Sequence, residues 1–254
     1  MKSQIYNQAE YYEIAFSFVD QEKQADLFEK FIKKFSNIKV ESVLDVACGT
    51  ALQLEEMAKR GYESIGLDTN AKMLDYLKNK SLKQGLKIET IKADINKFKL
   101  KKKVDFVYIM MGSIIYTKNN NLFLSHLDSV AESLKSGSIY FIENLAINWA
   151  TSEFFKPQIW SMKKDGIKIR TIYKITLKNA LTQVVTQTLK LEVDDHGKKM
   201  EFIDEDDLKI IFPEELKLLV EKNDKFEFIG FFERETTKPL KKESADNVVI
   251  LRKK

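Results

Sequence analysis

Three carboxylates recur at one kind of place in this 254-residue chain. Asp45 lies inside VESVLDVACGT (40–50), Asp68 ends YESIGLD (62–68) and Asp94 ends LKIETIKAD (86–94). Each run is short, rich in branched aliphatic residues and bounded by turn formers, so each reads as a strand. Carboxyl ends of parallel strands, where the strand order reverses, are where open α/β sheets bind ligands. After the first strand comes Ala47-Cys48-Gly49-Thr50-Ala51, a turn whose small side chains let the backbone approach a ligand closely. An acid about 20 residues beyond such a turn is placed for the two hydroxyls of a ribose. The turn also narrows the kind of nucleoside. A pyrophosphate wants G-x-G-x-x-G at an open helix N-terminus. Here there is one glycine, with Asp45 close by to repel anionic oxygen, so a cationic ligand is better accommodated.

The elements that must position these acids follow from periodicity. The first strand feeds a helix from about Ala51 to Arg60, the second a helix from Ala71 to Gly85, and a fourth strand, VDFVYIMMGS, runs from Val104 to Ser113. A helix from Asn121 to Gly137 leads to a fifth strand, Ser138 to Leu145. The alternation predicts an α/β, Rossmann-like fold: a seven-stranded, mostly parallel sheet with helices on both faces. Near Trp149 the beat breaks. From Gly166 to Ile203 residues alternate with period two, through a turn at Asp195-His196-Gly197, which predicts an antiparallel β insertion after the fifth strand. Pro213 opens a last helix, and strands Phe226 to Glu235 and Asn247 to Lys253 complete the sheet. Four segments result: a helical lid over 1–37, a ligand-binding core over 38–148, the insertion over 149–206 and completion of the core sheet over 207–254.

Composition excludes several classes. The net charge of +4 comes from 42 basic against 38 acidic residues, a near balance that argues against a nucleic-acid partner. No run is apolar enough to cross a bilayer, so no membrane partner is expected. A single cysteine allows no intrachain disulfide and suggests a reducing, cytoplasmic setting. The two histidines share no metal-ligand spacing, so no metal is expected. His126 reads as a packing or surface residue, His196 as part of a hairpin turn, Cys48 as a small filler, and the run Lys97 to Lys103 as a solvated loop.

VLDVACGTA, IGLDTNAKML and KADINKF together resemble the cofactor motifs of class I S-adenosylmethionine-dependent methyltransferases, with Ala51 in place of the usual last glycine. MMGSIIYTKNN and the N-terminal YYEIAF are similar to segments of small-molecule N-methyltransferases acting on amino sugars or glycine. The resemblance implies S-adenosyl-L-methionine as cofactor. It places Asp45 and the Ala47-Cys48-Gly49 turn at the methionine part, Asp68 on the ribose, Thr69 and Met73 beside the adenine, and Asp94 with the Ile95 backbone on its amino group. Met110 and Met111 end the fourth strand against the cofactor. Tyr12 and Tyr116 line the acceptor site, and Tyr11, Phe16 and Phe18 join them in an aromatic wall around the sulfonium. The expected reaction is methyl transfer to a small-molecule acceptor at nitrogen. An RNA or protein methyltransferase, engaging the lysine loop and the tail Arg252 to Lys254, and a non-catalytic nucleotide-binding module remain alternatives, and a homodimer is left open.

Overall fold

A computed structural model describes residues 4–144, 156–242, 244 and 246–254. After a short 3-10 turn, Ile5–Asn7, come helices α1 (Ala9–Ala15) and α2 (Gln21–Phe35). The main sheet is built from β1 (Ser42–Val46), β2 (Glu63–Asp68), β3 (Ile88–Lys92), β4 (Val104–Ile109) and β5 (Leu134–Glu143). Helices α3 (Leu52–Lys59), α4 (Ala71–Lys83) and α5 (Asn120–Ser133) alternate with these strands. Four long antiparallel strands follow: β6 (Gln158–Lys164), β7 (Ile167–Asn179), β8 (Val184–Asp195) and β9 (Lys198–Lys209). Helix α6 (Pro213–Asn223) and strands β10 (Phe226–Glu233) and β11 (Asn247–Lys253) close the chain.

The expected fold class holds: the strand order is β10-β11-β5-β4-β1-β2-β3. Strand β11 runs antiparallel to both of its neighbours, β5 and β10, while β1 to β5 pair in parallel. Every residue of β1 and β4 is buried, as expected of inner strands covered on both faces. The chain steps from β1 outward to β2 and β3, then returns to β4 on the other side of β1. The crevice at the carboxyl ends of β1 and β4 is therefore the switch point. One boundary differs from the sequence reading. The helix expected to reach Gly137 stops at Ser133, and β5 begins at Leu134, because Leu134 pairs with Val104 and packs in the sheet core.

Segment 1–37 divides by what it buries. Phe28 and Phe31 of α2 pack into the main sheet against Phe106, Tyr108 and Phe141. Ile14, Ala15 and Phe16, at the end of α1, pack instead against Ile169, Leu189 and Leu191 of the antiparallel sheet. Gly66 explains how β2 sits so close to its helices: a Cβ there would lie 3.0 Å from the Cys48 sulfur and 3.1 Å from Leu77. Among the described residues no helix is long and apolar enough to cross a membrane.

The turn after β1 is held in a left-handed zigzag, with φ of 59° at Ala47, 52° at Gly49 and 54° at Ala51. Such angles are free of strain only for glycine; a non-glycine residue there carries roughly 1–2 kcal/mol. Ala51 is also 1% exposed, so its methyl is fixed in the core. We expect Ala51→Gly to stabilise the chain by roughly 0.5–1 kcal/mol, the relief of strain being partly offset by the freer unfolded chain. Urea unfolding checks this, and a loss of stability would show that the buried methyl outweighs the strain.

Candidate active site

Asp45 is 2% exposed at the carboxyl end of β1, and burial pushes its carboxyl well up from the ordinary carboxylate range. Its register partner on β4 is Tyr108, whose hydroxyl lowers that shift without reaching hydrogen-bonding geometry. Asp68, at the end of β2, accepts hydrogen bonds from the Gly49 amide (2.9 Å, Oδ2) and the Asn70 amide (2.8 Å, Oδ1). Burial raises its pKa while these amides pull it down. Among the described residues neither acid has an ion pair. One buried and one half-buried acid, neither ion-paired among the described residues, make a place that favours a positively charged ligand over a pyrophosphate.

Tyrosines close the same space. Tyr12 packs over the turn, 3.8 Å from where a Gly49 Cβ would lie. Burial raises its pKa, and the fields of Tyr116, Asp68 and Asp45 add to the shift, so these four side chains form one electrostatic cluster. Tyr116 follows β4 in a 3-10 turn, Ser113–Thr117. Its hydroxyl lies 3.1 Å from that of Tyr6, accepts from Gln187 Nε2 at 3.1 Å and donates to Asp206 at 3.5 Å. Its pKa is pushed up to about 12, chiefly by burial. Tyr173 donates to Gln187 Oε1 at 3.1 Å, so β7 and β8 reach the same hydroxyl through a relay.

The structure brings together Tyr12, Tyr116, Asp45, Ala47, Cys48, Gly49 and Asp68. Met73 is buried at 1% on α4, and Met110 is buried beyond β4. Thr69 and Asp94 are exposed, and Ile95 is buried behind Asp94. Met111 is 40% exposed with φ of 55°; its amide donates to Glu143 Oε2 at 2.7 Å, and Arg234 pairs with that carboxylate at 3.3 Å. The Cys48 thiol is buried and its pKa raised, which suits a space filler and not a nucleophile.

The aromatic wall needs correction. Tyr11 is one residue, about 100° of helix, away from Tyr12, and its hydroxyl donates to Asp195 at 2.8 Å on the outer side. Phe16 lies against Tyr12, ring centroids 4.6 Å apart, as the sequence reading expects, and meets Trp160 edge-on at 5.6 Å, while Phe18 meets Trp160 edge-on at 6.0 Å. Tyr6 joins them beside Tyr12, with ring centroids 5.5 Å apart. Lys102 of the lysine loop pairs with Glu63, and in the basic tail Arg252 pairs with Glu227 and Lys254 with Asp224.

Sequence reasoning missed what fastens the N-terminal segment. Lys80 of α4 pairs with Glu13 of α1 and with Glu55 of α3 at 3.0 Å, and donates to the Thr50 carbonyl at 3.2 Å. Tyr76 donates to Glu13 at 3.1 Å, Asp204 receives the Gln4 and Ile5 amides, and Trp160 Nε1 donates to the Ala15 carbonyl at 2.7 Å. Lys80 spaced four from Tyr76 was a legible signal, but Glu13 is distant in sequence.

Residues 43–137 match the family described as a methyltransferase domain. The matched segment holds Asp45, Asp68, Asp94 and Tyr116. A methyltransferase described as S-adenosylmethionine-dependent, from Clostridium acetobutylicum, superposes with TM-score 0.80 at 18% identity, covering 98% of this chain and 99% of that one. CalS10, an amino pentose methyltransferase from Micromonospora echinaspora, gives TM-score 0.72 at 17% identity, covering 100% and 98%. The dTDP-3-amino-3,4,6-trideoxy-alpha-D-glucopyranose N,N-dimethyltransferase of Streptomyces venezuelae is 26% identical over 167 residues, 62% of this chain. The match spans 63% of that relative's length.

Removing Lys80 leaves Glu13 and Glu55 buried without their cation, a change of order 3 kcal/mol. In Lys80→Met, hydrogen exchange of the α1 amides should speed up by about 10²-fold while the β1 and β4 amides hold. Unchanged exchange in α1 would show that apolar packing alone seats the segment.

Proposed function

We propose that this chain transfers a methyl group from S-adenosylmethionine to the amino nitrogen of a small molecule, an amino sugar being the class to which the similar proteins point. The observation that carries the reading is the pair of acids, Asp45 and Asp68, beside the Gly49 turn and under Tyr12, with no ion pair to either among the described residues. These residues fit the cofactor: Asp68 is placed for its ribose, the Ala47–Gly49 backbone and Asp45 for its charged methionine part, Thr69 and Met73 for the flanks of its adenine, and Asp94 with Ile95 for the amino edge. Met110 and Met111 lie at the end of the neighbouring strand.

When bound, S-adenosylmethionine supplies a methyl group already activated by a positively charged sulfur. The chain itself has to attract that charge, exclude water and aim a lone pair. The tyrosine faces of the cluster do the first two, since an aromatic face attracts a cation most when water is absent. Tyr116 remains protonated at neutral pH, its pKa being pushed up to about 12, so it orients the amine by a hydrogen bond and does not act as a base. An ammonium acceptor has no lone pair and must shed a proton first; Asp206, facing Tyr116, is the carboxylate in position to take it. The site is built within one chain, so the reading holds for a monomer or a homodimer. A cytoplasmic setting would keep the Cys48 thiol reduced.

The test is incubation with S-adenosylmethionine and a panel of free and nucleotide-linked amino sugars, glycine and tRNA, read by mass spectrometry. A methylated amine is expected, with its rate lowered about tenfold in Tyr116→Phe by loss of one hydrogen bond. Methyl transfer to tRNA alone, or to none of the panel, would overturn the reading.

A further inference from the structure

One face of α5 grips the loop that follows β3. Ser125 Oγ donates to the Asn96 carbonyl at 2.6 Å, His126 Nδ1 lies 2.7 Å from the Ile95 carbonyl, and Ser129 Oγ accepts from the Phe98 amide at 3.1 Å. The loop is also tied to itself and to the ribose acid. Asp94 Oδ1 accepts from both the amide and the side chain of Asn96, each at 2.7 Å, and the Ala93 amide donates to the Asp68 carbonyl at 3.1 Å.

His126 is fully buried, and its surroundings fix its tautomer. A carbonyl only accepts, so Nδ1 carries the proton. Nε2 then accepts from the Tyr140 hydroxyl at 2.7 Å. Both ring nitrogens are satisfied with no charge required, and burial keeps the ring neutral, with the pKa lowered to about 4. A buried imidazole aimed at one loop carbonyl, with a second residue to hold its tautomer, is more than packing needs.

We propose that His126 is a positioning residue for the cofactor: through the Ile95 carbonyl it fixes the Asp94–Ile95 peptide so that this segment discriminates adenine by its amino group. The inference rests on the proposed cofactor. His126 touches no ligand atom; its effect passes through the loop.

The experiment is calorimetric titration of the full chain with S-adenosylhomocysteine and with S-inosylhomocysteine, which carries a carbonyl oxygen where adenine has its amino group. The readout is the ratio of the two dissociation constants, because general loosening of the fold weakens both ligands alike. The wild type is expected to prefer the adenine form by about tenfold or more. His126→Leu should bring the ratio to within about threefold, and His126→Asn, whose amide nitrogen can replace Nδ1, should restore most of it. Should the leucine variant not fold, Tyr140→Phe leaves the core shape intact and strips Nε2 of its donor, loosening the ring that holds the Ile95 carbonyl, and it should lower the ratio at least twofold. A wild-type ratio in His126→Leu, or in Tyr140→Phe, would overturn the proposal. A wild type that binds both ligands equally would overturn it through the adenine contact, leaving the cofactor reading in place; a wild type that binds neither would remove the cofactor reading itself.

Discussion

The Asp68 carboxylate bridges the ends of two adjacent strands, taking one amide from the glycine turn after β1 and one from the start of the α4 cap. Much of the site is referred to that bridge. It sets the distance between the turn and the second strand, and it keeps an anionic oxygen at the switch point. Burial raises the pKa of such a group. Backbone amides pull it back down, favouring the carboxylate where, among the described residues, no lysine or arginine pairs with it. A site that has already accepted this cost gains from any ligand that brings positive charge and two hydroxyls.

Around that bridge the chain closes in shells that belong to different sheets. The parallel sheet supplies the carboxylates and the turn, and α1 lays Tyr12 over them. The antiparallel sheet reaches in from the far side through Gln187 and Asp206 to the Tyr116 hydroxyl. Lys80 joins two of these shells at one ammonium group, since it holds Glu13 of the covering helix and the Thr50 carbonyl of the turn together.

The core architecture was legible because strands buried on both faces leave an unmistakable apolar run, and because acids at their ends are spaced by the βαβ unit. Asp45, Asp68 and Gly49 could be placed from that spacing. What escaped was contact across the chain. Tyr11 and Tyr12 are indistinguishable in composition, and only the rotation of α1 against the antiparallel sheet decides that Tyr12 faces the turn and Tyr11 faces Asp195. Gln187 did leave a trace: it is a polar residue on the inward face of β8 between Val185 and Leu189, where alternation calls for an apolar one. His126 looked like a packing residue because a helix pattern shows which face is buried and not which carbonyl lies opposite. The extra strand β6 was invisible because its partner strand, and not its own exposed sequence, holds it in place.

The claim at the centre is that Asp68 holds the sugar of a cationic nucleoside, and titration calorimetry of S-adenosylhomocysteine against the wild type and Asp68→Asn addresses it directly. The account predicts a loss of about 3 kcal/mol, roughly a hundredfold in affinity, with the thermal midpoint of the unliganded protein lowered by only a few degrees. Equal affinity in the two proteins would contradict it.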